Sequence, residues 1–221
     1  RRLAGLAWEG AVHEAITPAG RVLRWDGAAV SHRKLRAGDP DRNLRIYQNL
    51  LAQGKQLSPR EQFYYARELA AHGRDEEAAA QWEAFLDSGE GWVENEIQAC
   101  RDLYQCRLRQ GKDREAFAAL TRALAFGPPR SELCCDLGGW FYQKGDYPTA
   151  AFWYETALTR PREDGEGGFV SPECSGYLPC IQLCVCWYRM GDPIRSQEYN
   201  QRAGTFKPDG EEFLFNQRFF Q

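Results

Sequence analysis

Four times along the chain, a glycine followed by polar residues separates one apolar, alanine-bearing segment from the next. The segments are "AAHGRDEEAAAQWEAFL", "RLRQGKDREAFAALTRAL", "FYQKGDYPTAAFWYETAL" and "WYRMGDPIRSQEYNQRAG". The glycines are Gly73, Gly111, Gly145 and Gly191, with gaps of 38, 34 and 46 residues. Five residues after each stands a small residue (Ala78, Ala116, Ala150, Ser196), and four further on a bulkier one (Trp82, Leu120, Tyr154, Asn200). A glycine ends a helix in a left-handed turn, and a small residue lets the returning helix lie close against the first. Each unit therefore reads as a helical hairpin, and the near-constant period reads as a stack of hairpins.

The helices before each glycine carry apolar and small positions, as in "YYARELAAHG" and "IQLCVCWYRMG", and Pro128, Pro161 and Pro208 stop propagation after the second helices. This pattern resembles the tetratricopeptide repeat. The expected fold class is all-α, a tetratricopeptide superhelix with hairpins at about 58–86, 97–127, 131–160 and 174–207 within a domain spanning 37–221. The longest gap takes its extra residues in "RPREDGEGGFVSPE", and the gap of 38 takes them around "SGEGWVENE". Ser196 and Asn200 replace the usual alanine and aromatic, so the last hairpin is expected to pack more loosely.

Helix starts agree with this parsing. Ser58, Pro59 and Glu61 form a capping box with proline at the first helical position. Asp39-Pro40, Ser171-Pro172 and Asp192-Pro193 repeat the cap-then-proline pattern. The helix opened at Asp39 places Leu44, Tyr47, Leu50 and Leu51 on one stripe and is expected to cap the array. The closing run "EEFLFNQRFFQ", with Phe213, Phe215, Phe219 and Phe220, is expected to cover the last hairpin.

Bulk properties narrow the partners. At 43% hydrophobic and 27% charged the chain is of globular type. A net charge of −3 gives no overall drive toward nucleic acid or an anionic membrane. No apolar run approaches the ~18 residues of a membrane span, and the start lacks a secretory signal, so a cytoplasmic location is expected. The eight cysteines include the adjacent Cys134 and Cys135, and Cys180 and Cys184 one turn apart among apolar neighbours. Buried thiols are the leading reading, with zinc or disulfides as the alternatives.

In stacked hairpins the first helices line a concave face. The outward positions by helical spacing include Arg60, Phe63, Arg67, Arg101, Gln105, Arg109, Tyr142, Tyr188 and Arg189. Several arginines there suit a peptide with carboxylates or a polar backbone, and a homo-oligomer is a further use of the same face. The alternative is an ordinary solvated face. No catalytic triad, phosphate loop or dinucleotide fingerprint occurs, and no cofactor is expected for the array.

The first residues differ in kind. Residues 1–38 hold seven Arg and Lys against three acids, and "GAVHEAI" and "GRVLRWDGAAVSHRK" read as extended segments separated by the turn "TPAG". Two strands and a turn cannot make a domain. The succession "WEGAVHE", "PAGRVLRWDGAAVSHRK" and "DRNLRIYQNLLAQGKQLSPREQFYYARELAAHGRDEEAAAQWEAFLDSGEGWVE" resembles bacterial family 2 glycosyltransferases that carry a tetratricopeptide array after a GT-A domain. The resemblance implies that residues 1–36 are the end of a catalytic domain, and that a longer parent enzyme transfers sugar from a nucleotide-sugar donor using Mn2+ or Mg2+. By the same resemblance His13, with His32 as a second candidate, would complete the metal shell, Glu14 would edge the donor site, and the array would present a peptide, protein or glycan acceptor. The segment before the array has no room for the nucleotide-binding sheet of such a domain, so this chain alone is expected to be inactive. The rival reading is a stand-alone interaction adaptor without catalysis.

Overall fold

The structure, a computed structural model, describes residues 7–17, 27, 38–160 and 168–220. Among these residues it is all-α apart from two three-residue strands, and it divides into two compact units, residues 1–90 and 91–221. The expected boundary at residue 36 lies outside the described residues.

In the first unit, β1 (Ala7–Glu9) and β2 (Ala15–Thr17) pair antiparallel, with Trp8 opposite Ile16. "GAVHEAI" is therefore not one extended segment: it holds the hairpin turn, with Gly10 at φ +95° and His13 at φ +54°. Both lie in the left-handed region, which a glycine enters freely and a histidine only at a cost. Val12 is buried and holds the turn down. His13 therefore sits in the hairpin turn and not on a strand.

Helix α1 (Arg42–Ala52) starts after Asp41 rather than at Asp39; the Asp39 carboxylate instead accepts from the Asp41 backbone N–H at 3.0 Å, one turn before the helix. Leu44 and Tyr47 are buried, whereas Leu51 is exposed. Helix α2 (Pro59–Ala71) begins with the expected capping box, Ser58 Oγ accepting from the Glu61 N–H and the Glu61 carboxylate accepting from the Ser58 N–H. Gly73, at φ +71°, turns the chain into α3 (Asp75–Ser88), whose Ala78 and Trp82 pack inward.

The second unit stacks three hairpins: α4 (Val93–Arg109) with α5 (Asp113–Arg122), α6 (Ser131–Gln143) with α7 (Tyr147–Thr159), and α8 (Tyr177–Arg189) with α9 (Pro193–Phe206). A 3-10 turn, Ala123–Phe126, extends α5, and α10 (Glu211–Gln217) closes the described chain. Gly111, Gly145 and Gly191 take φ of +71°, +77° and +83°, as a left-handed helix stop requires. Ala116, Ala150 and Ser196 are fully buried at the hairpin crossings. Asp192 caps α9 through the Arg195 N–H at 3.0 Å, but Ser171-Pro172 opens a 3-10 turn, Pro172–Ser175, without a side-chain cap.

The last hairpin is not looser for its polar substitutions. Ser196 Oγ donates to the Cys184 carbonyl at 2.8 Å, and Asn200, 1% exposed, donates to the Phe213 carbonyl at 3.2 Å. The Ser196 hydroxyl and the Asn200 amide nitrogen thus each have a backbone partner, while Asn200 Oδ1 is buried without one. All eight cysteines are buried free thiols. Burial pushes Cys134 and Cys180 up to about 11, and Cys100 and Cys186 up to about 12. No described helix is long and apolar enough to cross a membrane.

Candidate functional site

The helical period of α8 divides its side chains between two directions. Cys180 and Cys184 are buried, as is Ile181 in the core beside Cys180, while the half-buried Gln182 and Val185 and the exposed Tyr188 turn toward α6 and α10. Ile181, Gln182 and Val185, with Tyr142 of α6 and with Glu211, Glu212, Leu214 and Phe215 of α10, bound a cleft of about 710 Å³. A smaller cleft of about 330 Å³ adjoins it, where Val185, Tyr188 and Arg189 face Phe215, Phe219 and Phe220. The two share Val185, Phe215 and Asn216 as a common wall, so they adjoin as one groove region along α8 and α10.

The groove exists because α10 is anchored along one face only. The Phe213 ring lies so close to Gly204 that a Cβ there would come within 2.6 Å of it. Tyr177 Oη donates to Glu212 at 2.8 Å and accepts from the Phe213 N–H at 3.4 Å. The Glu212 carboxyl is held below the usual range, by its own backbone N–H first and by Tyr177 second. Burial, with Glu212 beside it, pushes Tyr177 up to about 12. Phe213 thus turns inward against Gly204, while Leu214, Phe215 and Phe219 stay exposed. Phe215 is 55% and Phe219 59% exposed, their rings edge-on at 5.4 Å, with Tyr188 6.3 Å from Phe219. Arg189 and Arg218 are exposed, and among the described residues neither is paired with a carboxylate.

Of the nine positions expected to face outward, Tyr142, Tyr188 and Arg189 come together in this groove. Arg101 is tied down in an ion pair with Asp136. Burial raises the Asp136 carboxyl, and the Arg101 guanidinium opposes it without cancelling it. Gln105 and Arg109 are exposed on α4, with Arg109 donating to Cys106 Sγ at 3.0 Å. The other three positions are in the first unit. Phe63 is a correction: it is fully buried, its ring 5.8 Å from that of Phe85, because the apolar run Phe63, Tyr64, Tyr65 lets α2 settle with Phe63 inward. The Arg67 guanidinium lies 5.7 Å over the Phe63 ring. Arg60 lies 5.1 Å over Tyr64 and donates to the His13 carbonyl at 3.3 Å.

His13 engages its own chain. Its ring stacks on Tyr64 at 4.2 Å, and Nε2 lies 3.5 Å from Glu68 Oε1. The Ala11 N–H donates to Glu61 at 3.4 Å, completing a docked turn. Glu14 is exposed, and His32 lies outside the described residues. Among the described residues no three His, Cys, Asp or Glu side chains are grouped to hold a metal, so the described part of the tail does not fit a divalent-ion site.

The residues missed at the sequence level are Ile181, Val185, Leu214 and Phe215. The signal was present in the four-residue step from Ile181 to Val185 in the first helix of the last hairpin.

No family model matches the chain, and no curated protein matches it in sequence. Solved structures do match in fold. PilF from Pseudomonas aeruginosa is 15% identical, covers 79% of this chain and 72% of its own, and has a TM-score of 0.58. BtubC from P. vanneervenii is 19% identical, covers 77% and 74%, and has a TM-score of 0.62. The C-terminal part of a TPR repeat-containing protein from Cytophaga hutchinsonii is 15% identical, covers 76% and 62%, and has a TM-score of 0.60. At these identities the likeness is one of fold: the chain has the architecture of a tetratricopeptide-type array of helical hairpins.

Proposed function

We propose that this chain is a protein-interaction module whose second unit receives an apolar, acid-bearing segment of a partner in the groove between α6, α8 and α10. The observation that carries this reading is the exposed lining itself. Tyr188, Phe215 and Phe219 are exposed and, with the half-buried Val185, surround a concavity with Arg189, Arg218 and Glu211 at its margin. Large exposed aromatic surface rimmed by unpaired cations is costly in water unless a partner covers it. A random peptide library selected on the whole chain and counter-screened on Val185→Glu tests the idea. Enrichment of apolar, acidic sequences that lose binding to the variant supports it; sequences that bind both proteins equally refute it.

A second reading comes from the tail. The β1–β2 ribbon docked on α2 is consistent with the end of a preceding domain, and the glycosyltransferase resemblance of that tail would make the array the acceptor-presenting arm of a sugar-transferring parent. Neither the solved-structure likenesses nor the geometry around His13 supports the metal or the nucleotide sugar. Nucleotide release from nucleotide sugars with Mn2+, measured on the full-length protein with His13→Ala alongside, decides it; turnover indifferent to the substitution removes His13 from the reaction.

A further inference from the structure

The outward face of α10 has a pattern that the groove alone does not explain. Glu211, Leu214, Phe215 and Arg218 fall at i, i+3, i+4 and i+7, which places them on one stripe, and all four are exposed along the larger cleft. The stripe begins with an acid, runs through apolar side chains and ends with a base. Glu211 and Arg218 sit two turns apart, about 10 Å along the axis, too far to pair within the helix. Among the described residues neither has an ion-pair partner, whereas the neighbouring Glu212 is spent on Tyr177. Reversed end for end, the stripe reads base, apolar, acid, and is therefore complementary to itself.

From this we infer that the occupant of the groove is a second copy of the chain, docked by antiparallel pairing of α10 with its counterpart about a twofold axis near Phe215. Each Glu211 then meets the partner copy's basic end, and Leu214 and Phe215 cover one another. A twofold interface of this kind is isologous, each patch serving both sides. The inference rests on the reading of the groove as a binding surface and adds the identity of what fills it. A peptide partner would then compete with the second copy, which gives the surface a concentration-dependent occupancy.

The test is sedimentation velocity on the whole chain and on charge variants of exposed side chains. Dimers are expected at concentrations above about 10 µM, the range of a weak self-association. Glu211→Arg puts base against base at both ends of the pair and Arg218→Glu puts acid against acid, so each alone weakens the dimer about tenfold or more. The double variant Glu211→Arg/Arg218→Glu restores both pairs, and so does an equimolar mixture of the two single variants, which must form heterodimers. A chain that stays monomeric throughout, or a dimer indifferent to the single reversals, overturns the inference. If the monomer still binds library peptides in a Val185-dependent way, the groove reading stands and only the second copy is lost; if that binding is absent too, both fall.

Discussion

Two adjacent glycines in α6 should respond to the same substitution with opposite signs. A Cβ on Gly138 would come within 2.8 to 2.9 Å of three ring atoms of Tyr154, well inside contact distance. Tyr154 is 3% exposed and belongs to the core shared with Cys135, Ala150 and Leu183, so the ring has nowhere to retreat without moving α7. A Cβ on Gly139 meets only the Tyr154 hydroxyl, at an ordinary 3.7 Å. Alanine is better than glycine by about 1 kcal/mol inside a helix, and both sites receive that gain. At Gly138 it is opposed by overpacking of a rigid core, about 1 to 3 kcal/mol, with the upper end apt for a three-atom clash. The net expectation is a loss of about 1 to 2 kcal/mol for Gly138→Ala and a gain of up to about 1 kcal/mol for Gly139→Ala. For a chain of this size each kcal/mol moves the midpoint by roughly 2 to 4 °C, so the two melting curves should lie several degrees apart on either side of the parent. Thermal melts followed at 222 nm read this directly. Equal midpoints for the two variants would refute the claim that α6 and α7 cross in contact at Gly138.

Other expectations follow from single contacts. Ser58→Ala removes half of the capping box of α2 and should cost about 1 kcal/mol, seen as a lower midpoint, while Ser58→Asp should retain most of the stability. Asp136 is raised in the folded protein, so its contribution to stability is fully present below the unfolded carboxyl value and is lost as pH rises through the folded one. Removing its opposing cation in Arg101→Met raises the folded value further, so the variant should lose about 2 kcal/mol or more at pH 7.5 and much less near pH 4; an equal loss at both would refute the pairing. Because burial raises Cys100, Cys134, Cys180 and Cys186, these thiols should react with a disulfide reagent at pH 8 only at the rate of unfolding, and rapid labelling of the native chain would contradict their placement.

The hairpins were legible in the sequence because their determinants are local. A glycine at positive φ, a small residue five positions on and a bulky one after it specify the turn and the crossing with no knowledge of the rest, and Gly73, Gly111, Gly145 and Gly191 behave as that rule requires. Phase was harder. Three successive aromatics, Phe63, Tyr64 and Tyr65, give α2 no unique inward face, and packing against Phe85 put Phe63 inside. The turn at "GAVHE" was hidden because its residues have extended composition, while the left-handed histidine depends on the stack with Tyr64 and the burial of Val12. Tyr142, Tyr188 and Arg189 were found from spacing, but their facing wall was not. Whether a terminal aromatic helix covers a hairpin or stands beside it is decided by Gly204, Asn200 and Tyr177, whose roles appear only once α9 and α10 are set together.

The period also allows the same slot to be compared across the second unit. Ten residues before each glycine stand Arg101, Cys135 and Ile181; six before, Gln105, Gly139 and Val185; two before, Arg109, Gln143 and Arg189. At the first two of these slots the positions pass from charged or polar on α4, through small on α6, to branched apolar on α8, while the third stays polar throughout. The repeat fixes where these side chains stand, and since one rule builds all three hairpins, the change in their chemistry does not come from the fold. Cys135 and Ile181 are buried, so of these slots Gly139 is where a segment bound along the unit would approach the α6 backbone closely, and Val185 is where it would find an apolar anchor. A ligand lying along the unit would therefore bind in one orientation, with its apolar end at α8 and α10. Exchanging the slots, Val185→Gln together with Gln105→Val, should reverse or abolish that orientation while leaving the hairpin turns and their melting behaviour intact.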